Sequence, residues 1–522
     1  MKYKYNNFYE MIVENEKKYK NSPAYFIDNK KVTWGEFKKL VDTFSKALHL
    51  MGIKKGDKIP IFVTNSLEFI IAMQAIQKIG AVAVPINTFL KEEEVAFILN
   101  DIDAKLLIAS KKLQNNIKNI REKTNVEKII WEGDIEEIDE NNISFNEMIS
   151  KFDSHEVSQT PKLDDLAFII YTSGTTGKPK GAMLTYKNIF SNIVGINEIT
   201  NITKKDRFIA YLPMFHSFTL TVNLLLPMYS ASAVVIIKSI MPFSNIIKQT
   251  LLKRVTIFTG VPDVYSALSR AKLPFYFHWF HKVRFFISGA APLPAEVLNK
   301  FSKKFKKSKL LEGYGLSECS PVVAVNRAEL QKPGSVGPAI PGVEVKIVND
   351  DLEEVPIGEE GEIIVKGDNV MRGYYNREDA TKETIINGWL LTGDIGKLDE
   401  DGYLYILDRK KDLIISKGVN IYPREIEEVC LKYPGIKECA VVGMKDEKLG
   451  EIPIAFVELE DDAKVNEIEI KNFLKKHLAN YKVPKHIYFV ENLPKNATGK
   501  VLKRKLREKI DEYVKEGRNK KN

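Results

Sequence analysis

Apolar and polar positions follow two rhythms through most of the chain. Over residues 34–51 the apolar side chains recur at helical spacing behind Thr33, whose hydroxyl suits it to cap the first turn. Residues 58–63 form a short apolar run of strand length, and a second helical pattern covers 66–79. Gly80 then opens a turn into another apolar run at 81–85. Short apolar runs return at 105–110, 166–171, 233–238 and 283–288. Strand and helix alternating in this way predict parallel sheets with helices on their faces.

The texture changes near 342–367, where short alternating runs at 343–348 and 361–365 lie between Gly and Pro turns and predict a small antiparallel unit. It changes again after the charged stretch Asp408-Arg409-Lys410-Lys411-Asp412, followed by a helix near 423–433, strands near 438–442 and 454–459, and a helix near 465–479. The expected class is α/β: a large N-terminal domain (1–408) of parallel α/β sheets carrying a small β subdomain at about 335–408, then a short junction at 409–411, then a small α+β C-terminal domain (412–522) with a frayed polar end. Residues 208–237 hold no charge and are long enough to cross a bilayer. Pro213, His216, Asn223 and Pro227 interrupt them, so a buried core segment is expected and no transmembrane span; peripheral membrane contact stays open.

A chain of 522 residues exceeds one compact core, and 44% apolar with 28% charged residues is the balance of a folded, soluble protein. The net charge of +9, from 78 basic and 69 acidic residues, reads as a mild excess spread along the chain. With no arginine-rich tract and no zinc-spaced cluster, an anionic small molecule is the expected partner and nucleic acid is not. Cys319, Cys430 and Cys439 show no CxxC spacing, and no apolar signal core follows the N-terminus, so a reducing, cytoplasmic setting is expected.

The most specific local signal is Tyr171-Thr172-Ser173-Gly174-Thr175-Thr176-Gly177-Lys178-Pro179-Lys180-Gly181, directly after the apolar run at 166–171. Glycines let backbone approach an anion, and hydroxyls and lysines supply donors and charge. A plain surface turn does not account for four hydroxyls, three glycines and two lysines in this stretch. A P-loop is excluded, because only two residues separate Gly174 from Gly177 and Pro179 obstructs the helix a P-loop requires.

The loop closely resembles the signature of the adenylate-forming enzymes, a family that includes acyl-CoA synthetases, firefly-type luciferases and the adenylation domains of peptide synthetases. The resemblance runs through nearly the whole chain. Leu311-Glu312-Gly313-Tyr314-Gly315-Leu316-Ser317-Glu318 is similar to the second family signature, Ser288-Gly289-Ala290-Ala291-Pro292-Leu293 to the segment flanking adenine and the acyl carbonyl, and Trp389-Leu390-Leu391-Thr392-Gly393-Asp394 to the ribose-binding segment. Leu493-Pro494-Lys495-Asn496-Ala497-Thr498-Gly499-Lys500 is similar to the last signature. The resemblance implies ATP, Mg²⁺ and coenzyme A as cofactors and co-substrates. It places Thr172, Ser173, Gly174, Thr175, Thr176, Gly177 and Lys178 on the phosphates, and Gly289, Ala290, Gly313 and Tyr314 around adenine. Ser317 would contact the α-phosphate, Glu318 with Thr172 would hold Mg²⁺, Asp394 would bind the ribose, and Arg409 would reach the ribose or phosphate. Lys411 would be the hinge of a mobile C-terminal lid, Lys500 the catalytic lysine, and Gly418 part of the pantetheine tunnel.

Leu212-Pro213-Met214-Phe215-His216-Ser217-Phe218 resembles the acyl-pocket segment, with His216 near the carboxylate, and its wording is closest to bacterial fatty acyl-CoA synthetases. An amino-acid substrate is not expected, since no charged residue of this segment could pair with an α-amine. The expected activity is ATP-dependent ligation of a fatty acid to CoA. The alternatives are an acyl carrier protein as acceptor, and a nucleotide-binding regulator without turnover. Acyl chain length is not legible, because tunnel depth is set by packing.

Overall fold

Thr33 caps the helix Trp34–Leu50: its hydroxyl accepts the Glu36 N–H, and the Glu36 carboxylate accepts the Thr33 N–H at 2.7 Å. Ser66 caps Leu67–Lys78, and Thr185 with Asn188 repeats the reciprocal cap on Tyr186–Thr200. The computed structural model describes residues 2–136, 138–151, 160–172, 179–416, 419–446, 448–461, 463–496 and 499–510.

The fold is mixed α/β. One eight-stranded sheet runs in the order Val322–Val325, Lys309–Gly315, Phe285–Ser288, Ile257–Gly260, Arg207–Ala210, Ala233–Ile236, Pro23–Ile27, Lys30–Thr33. Its six inner strands are parallel, with antiparallel strands at the two edges. The second places Val82–Pro85, Lys58–Phe62, Leu106–Ser110, Lys128–Glu132 and Asn142–Ser144 in parallel beside Leu166–Thr172. The latter also pairs antiparallel with Lys180–Thr185.

The charge-free stretch lies inside this large domain. It supplies two strands of the first sheet and, between them, a π-helical turn at Thr219–Leu225; only His216, Tyr229 and Ser230 escape full burial. Its polar groups are matched internally: Asn223 Nδ2 donates to the Ile209 carbonyl (2.8 Å) and to Thr259 Oγ1 (2.7 Å), and Thr221 donates to the Ser320 carbonyl (3.1 Å). Among the described residues no helix is long and apolar enough to cross a membrane. Asn223→Ala strands two buried groups, so it should lower the unfolding free energy by about 2–4 kcal/mol. Denaturant unfolding measures it; a loss below about 1 kcal/mol contradicts the assignment of these bonds.

A third sheet is antiparallel, built on Val343–Val348, Gly361–Gly367 and Trp389–Leu398, with Leu404–Arg409 beside the last. The smaller C-terminal domain has the long antiparallel pair Ile436–Asp446 and Gly450–Leu459 at its centre. Ile426, Cys430, Ile470 and Leu474 of helices Pro423–Cys430 and Glu467–His477 pack with Val441 and Val457 on one face. Leu506 of Lys503–Glu508 packs with Val442, Ile454 and Phe456 on the other. Those strands exceed the two short runs read from the sequence because Met444 and Lys445 extend the pairing beyond the apolar core.

Candidate functional site

The inner strands of the first sheet end on a common edge. In register, Gly260 lies opposite Ser288, and Ser288 opposite Glu312. The carboxyl ends of parallel strands are where such sheets bind ligands. Two residues past Glu312, the Tyr314 hydroxyl donates to Asp394 Oδ2 at 2.7 Å, and Arg409 Nε donates to Asp394 Oδ1 at 3.0 Å. Asp394 and Arg409 face each other across neighbouring strands of the third sheet. Three motifs distant in sequence therefore converge on one buried carboxylate. Burial, and then Asp394, push the Tyr314 phenol well above its ordinary range, so it stays a donor.

Gly315 lets the chain turn out of the sheet: a Cβ there would lie 2.0 Å from the Pro321 carbonyl oxygen. The one-turn helix Ser317–Cys319 follows. Ser317 Oγ lies 2.9 Å from Ser217 Oγ, tying the nucleotide motif to the acyl segment. Glu318 Oε1 accepts from the Tyr374 hydroxyl at 2.9 Å, and Lys180 Nζ lies 5.1 Å from the centre of the Tyr374 ring. Among the described residues no lysine or arginine pairs with Glu318, which leaves carboxylate oxygen for a hard cation; the position suits Mg²⁺. Thr172 is half-buried and its Oγ1 donates to the Lys180 carbonyl at 3.4 Å. Ser173, Gly174, Thr175, Thr176, Gly177, Lys178 and Gly418 lie outside the described residues.

Lys500 reaches this cluster from the smaller domain. Its turn is closed by Asn496, whose N–H donates to the Lys500 carbonyl and whose Oδ1 accepts the Lys500 N–H, both at 2.9 Å. Lys495 Nζ bridges Asp263 of the large domain and Glu438 of the small one, each at 2.7 Å, and Arg270 pairs with Glu460 at 2.7 Å. Gly499 faces Asp263 so closely that a Cβ would lie 3.3 Å from its carboxylate. Burial, and then the neighbouring Arg409, lower the Lys500 amine to about 8, against the pull of Asp394 and Asp412. At the junction, Asp408 accepts the N–H groups of Arg409 and Arg424 (2.8 Å each), and Asp412 pairs with Arg507 at 2.6 Å, while Lys411 is exposed.

In the acyl segment His216 is half-buried; its Nδ1 accepts the Phe218 N–H at 3.3 Å, and burial lowers it to about 4. The imidazole is thus neutral at neutral pH. The Phe218 ring covers Gly289, 3.2 Å from where a Cβ would stand, and Ala290 beside it has φ +68°. Gly313 follows Glu312 on the neighbouring strand, directly before Tyr314. Three contributions carry no motif in the sequence: Tyr374, Ser217 as a partner of Ser317, and Glu362, which accepts the Gly393 N–H (3.1 Å) and pairs with Lys410 (3.0 Å). Tyr374 comes from a two-residue edge strand with no periodicity to mark it.

Comparison with known proteins gives two family matches: the AMP-binding enzyme family over residues 12–375, and the AMP-binding enzyme C-terminal domain over 425–500. The chain is 33% identical to a long-chain-fatty-acid–CoA ligase of Escherichia coli O6:H1, over 97% of this chain and 95% of that protein. It is 37% identical to a 2-succinylbenzoate–CoA ligase of Bacillus cereus, over 93% and 95%. The crystal structure of ATP-bound MatB from Rhodopseudomonas palustris superposes with a TM-score of 0.88 at 30% identity, covering 96% of this chain and 98% of that one; apo MatB gives 0.79.

Proposed function

Since the chain belongs to the AMP-binding family of adenylate-forming CoA ligases, acid–thiol ligases that use ATP, Mg²⁺ and coenzyme A, we propose that its own acid is a fatty acid. The observation that carries the catalytic part is Lys500, brought by the small domain into the field of Asp394 and Arg409. The acyl part rests on residues 208–237, which are buried almost throughout and carry no charge. An acid with a second carboxylate would bury that charge there without a partner, at a cost of several kcal/mol. An alkyl tail instead gains about 0.8 kcal/mol per buried CH₂.

In the first half-reaction a carboxylate oxygen attacks the α-phosphate of ATP and pyrophosphate leaves. Both reactants are anionic, and no general base is needed because the acid is already ionised. Tyr314, Asp394 and Arg409 hold the nucleoside, the Ser317 hydroxyl faces the α-phosphate, and the Lys500 ammonium offsets charge developing between acid and phosphate. Bound Mg²⁺ would sit on Glu318 and Thr172 and neutralise phosphate charge. His216, neutral, borders the acyl carbonyl. In the second half-reaction the CoA thiol attacks that carbonyl and AMP leaves. Here the small domain turns about Lys411, Lys500 withdraws, and the segment around Gly418 lines the pantetheine path. The three cysteines are free thiols, which fits a reducing cytoplasm.

The test is AMP release across a panel of acids with CoA or acyl carrier protein as acceptor. Fatty acids with CoA should give the highest kcat/KM. A preference for an aromatic or dicarboxylic acid, or for the carrier protein, overturns the assignment. The depressed Lys500 amine adds a pH signature. Its charged form is lost as pH rises through about 8, so kcat/KM for ATP in pyrophosphate exchange should fall there. Lys500→Arg keeps the charge to far higher pH and should remove that limb, even at lower absolute rate. An unchanged limb in the variant assigns the titration to another group.

A further inference from the structure

The basic excess is uneven along the chain. Between Asp263 and Glu312 the chain carries ten lysines and arginines and a single acid, Glu296, which matches the +9 of the whole protein. Within the mild overall excess this run is the one that also carries exposed aromatics in a short helix. The short helix Phe275–Phe280 ends in Trp279 and Phe280, 74% and 68% exposed. Phe277 anchors it, stacking on His281 with ring centres 5.3 Å apart and meeting Phe305 edge-on at 6.4 Å. Phe305 stands between Lys304 and Lys306, so the anchor joins the helix to a segment in which Lys303, Lys306 and Lys307 are exposed, and Lys282, two residues past Phe280, is exposed as well. Lys304 is committed elsewhere, donating to the Leu268 (2.8 Å) and Ser269 (3.2 Å) carbonyls at the end of a neighbouring helix. The ion pairs of this region involve Arg270, Arg284 and Lys300; among the described residues Lys282, Lys303, Lys306 and Lys307 have no acidic partner.

Large aromatics held open to water and rimmed by charge mark an interaction surface. Trp and Phe beside unpaired lysines is the composition of a segment that lies in a membrane interface, with rings at the acyl boundary and ammonium groups on anionic headgroups. We propose that Trp279 and Phe280, with Lys282, Lys303, Lys306 and Lys307, dock this protein on anionic lipid bilayers. Lys306 and Lys307 directly precede the amino end of strand Lys309–Gly315, whereas Tyr314 lies at its carboxyl end. Docking thus engages the edge of the sheet away from the nucleotide, and it does not depend on which acid is activated.

The test is flotation of the full-length protein with vesicles of phosphatidylcholine alone, and of phosphatidylcholine with phosphatidylglycerol. The wild type should float with the mixed vesicles and far less with the neutral ones. A Lys303→Glu/Lys306→Glu/Lys307→Glu variant and a Trp279→Ser/Phe280→Ser variant should each bind mixed vesicles at least about tenfold more weakly. Without vesicles, both should release AMP from a water-soluble short acid at a rate within about twofold of wild type, showing an intact fold. Absence of vesicle binding, equal binding by either variant, or retention of an acidic carrier protein or RNA in place of vesicles overturns the proposal.

Discussion

Lys500→Ala should lower ATP–pyrophosphate exchange by about 10²–10³-fold, or roughly 3–4 kcal/mol of transition-state stabilisation. The same variant, supplied with acyl-adenylate and CoA, should form acyl-CoA at close to the wild-type rate. The asymmetry follows from where the amine stands. Burial, and then the nearby Arg409, push it down to about 8, and it is held by a turn whose supports, Lys495 and Gly499, rest on Asp263 of the other domain. A cation kept beside another cation is poorly placed until an anion arrives between them. ATP and the acid are such anions, and they make the site favourable for both charges. Thioester formation brings no new phosphate charge, so the amine has no comparable role there. Equal damage to both half-reactions would show that Lys500 supports the fold or the nucleotide in general, and would sink the division of labour between the two domain positions. The superposition on MatB runs in the same direction: the ATP-bound form fits this chain better than the apo form does.

How much of this was legible in the sequence differs by level. Helix starts with hydroxyl caps were: Thr33 and Ser66 bond as cap residues, and the observed helices begin within a residue of the expected positions. The burial of residues 208–237 was legible from Pro213, Asn223 and Pro227, although the π-helical turn inside it was not, since apolar spacing does not separate one helical winding from another. The motifs named Tyr314, Asp394, Arg409 and Lys500, yet nothing in their spacing says that the first three share a single carboxylate. That meeting is made by strand register, Asp394 opposite Arg409 in one sheet and Tyr314 at the end of another. Tyr374 and Glu362 were invisible because their contributions are long-range bonds, to Glu318 and to Gly393: no local pattern marks Tyr374, and the alternation at 361–365 sets Glu362 on a strand without saying what it meets. The charged, aromatic patch was not legible for a related reason. Composition counts residues, whereas a surface patch depends on Phe277 of one helix meeting Phe305 just past the end of another.

Gly315→Ala should be the most damaging single methyl in the site. The added carbon would lie 2.0 Å from the Pro321 oxygen and 2.8 Å from its carbonyl carbon, and both are backbone atoms. No side-chain rotation relieves that contact, so the turn Ser317–Cys319 between the two positions has to move. The displacement is coupled to the chemistry at three points: the Leu316 N–H bonds the same Pro321 oxygen at 2.9 Å, Ser317 bonds Ser217, and Glu318 bonds Tyr374. Overpacking of this kind costs about 1–3 kcal/mol of stability. A shift of about 1 Å in a positioning group costs about 10²-fold in rate. The variant should therefore remain folded by circular dichroism, unfold at lower denaturant, lose about 10²-fold in pyrophosphate exchange, and need more Mg²⁺ for half-maximal rate because Glu318 has moved. Gly334→Ala is the control: its backbone is left-handed at φ +82° but its Cβ direction is open, so it should carry only the conformational cost of about 1–2 kcal/mol and leave exchange intact. If Gly315→Ala matches that control in rate and in Mg²⁺ requirement, the Ser317–Glu318 turn is not held where the proposed chemistry needs it.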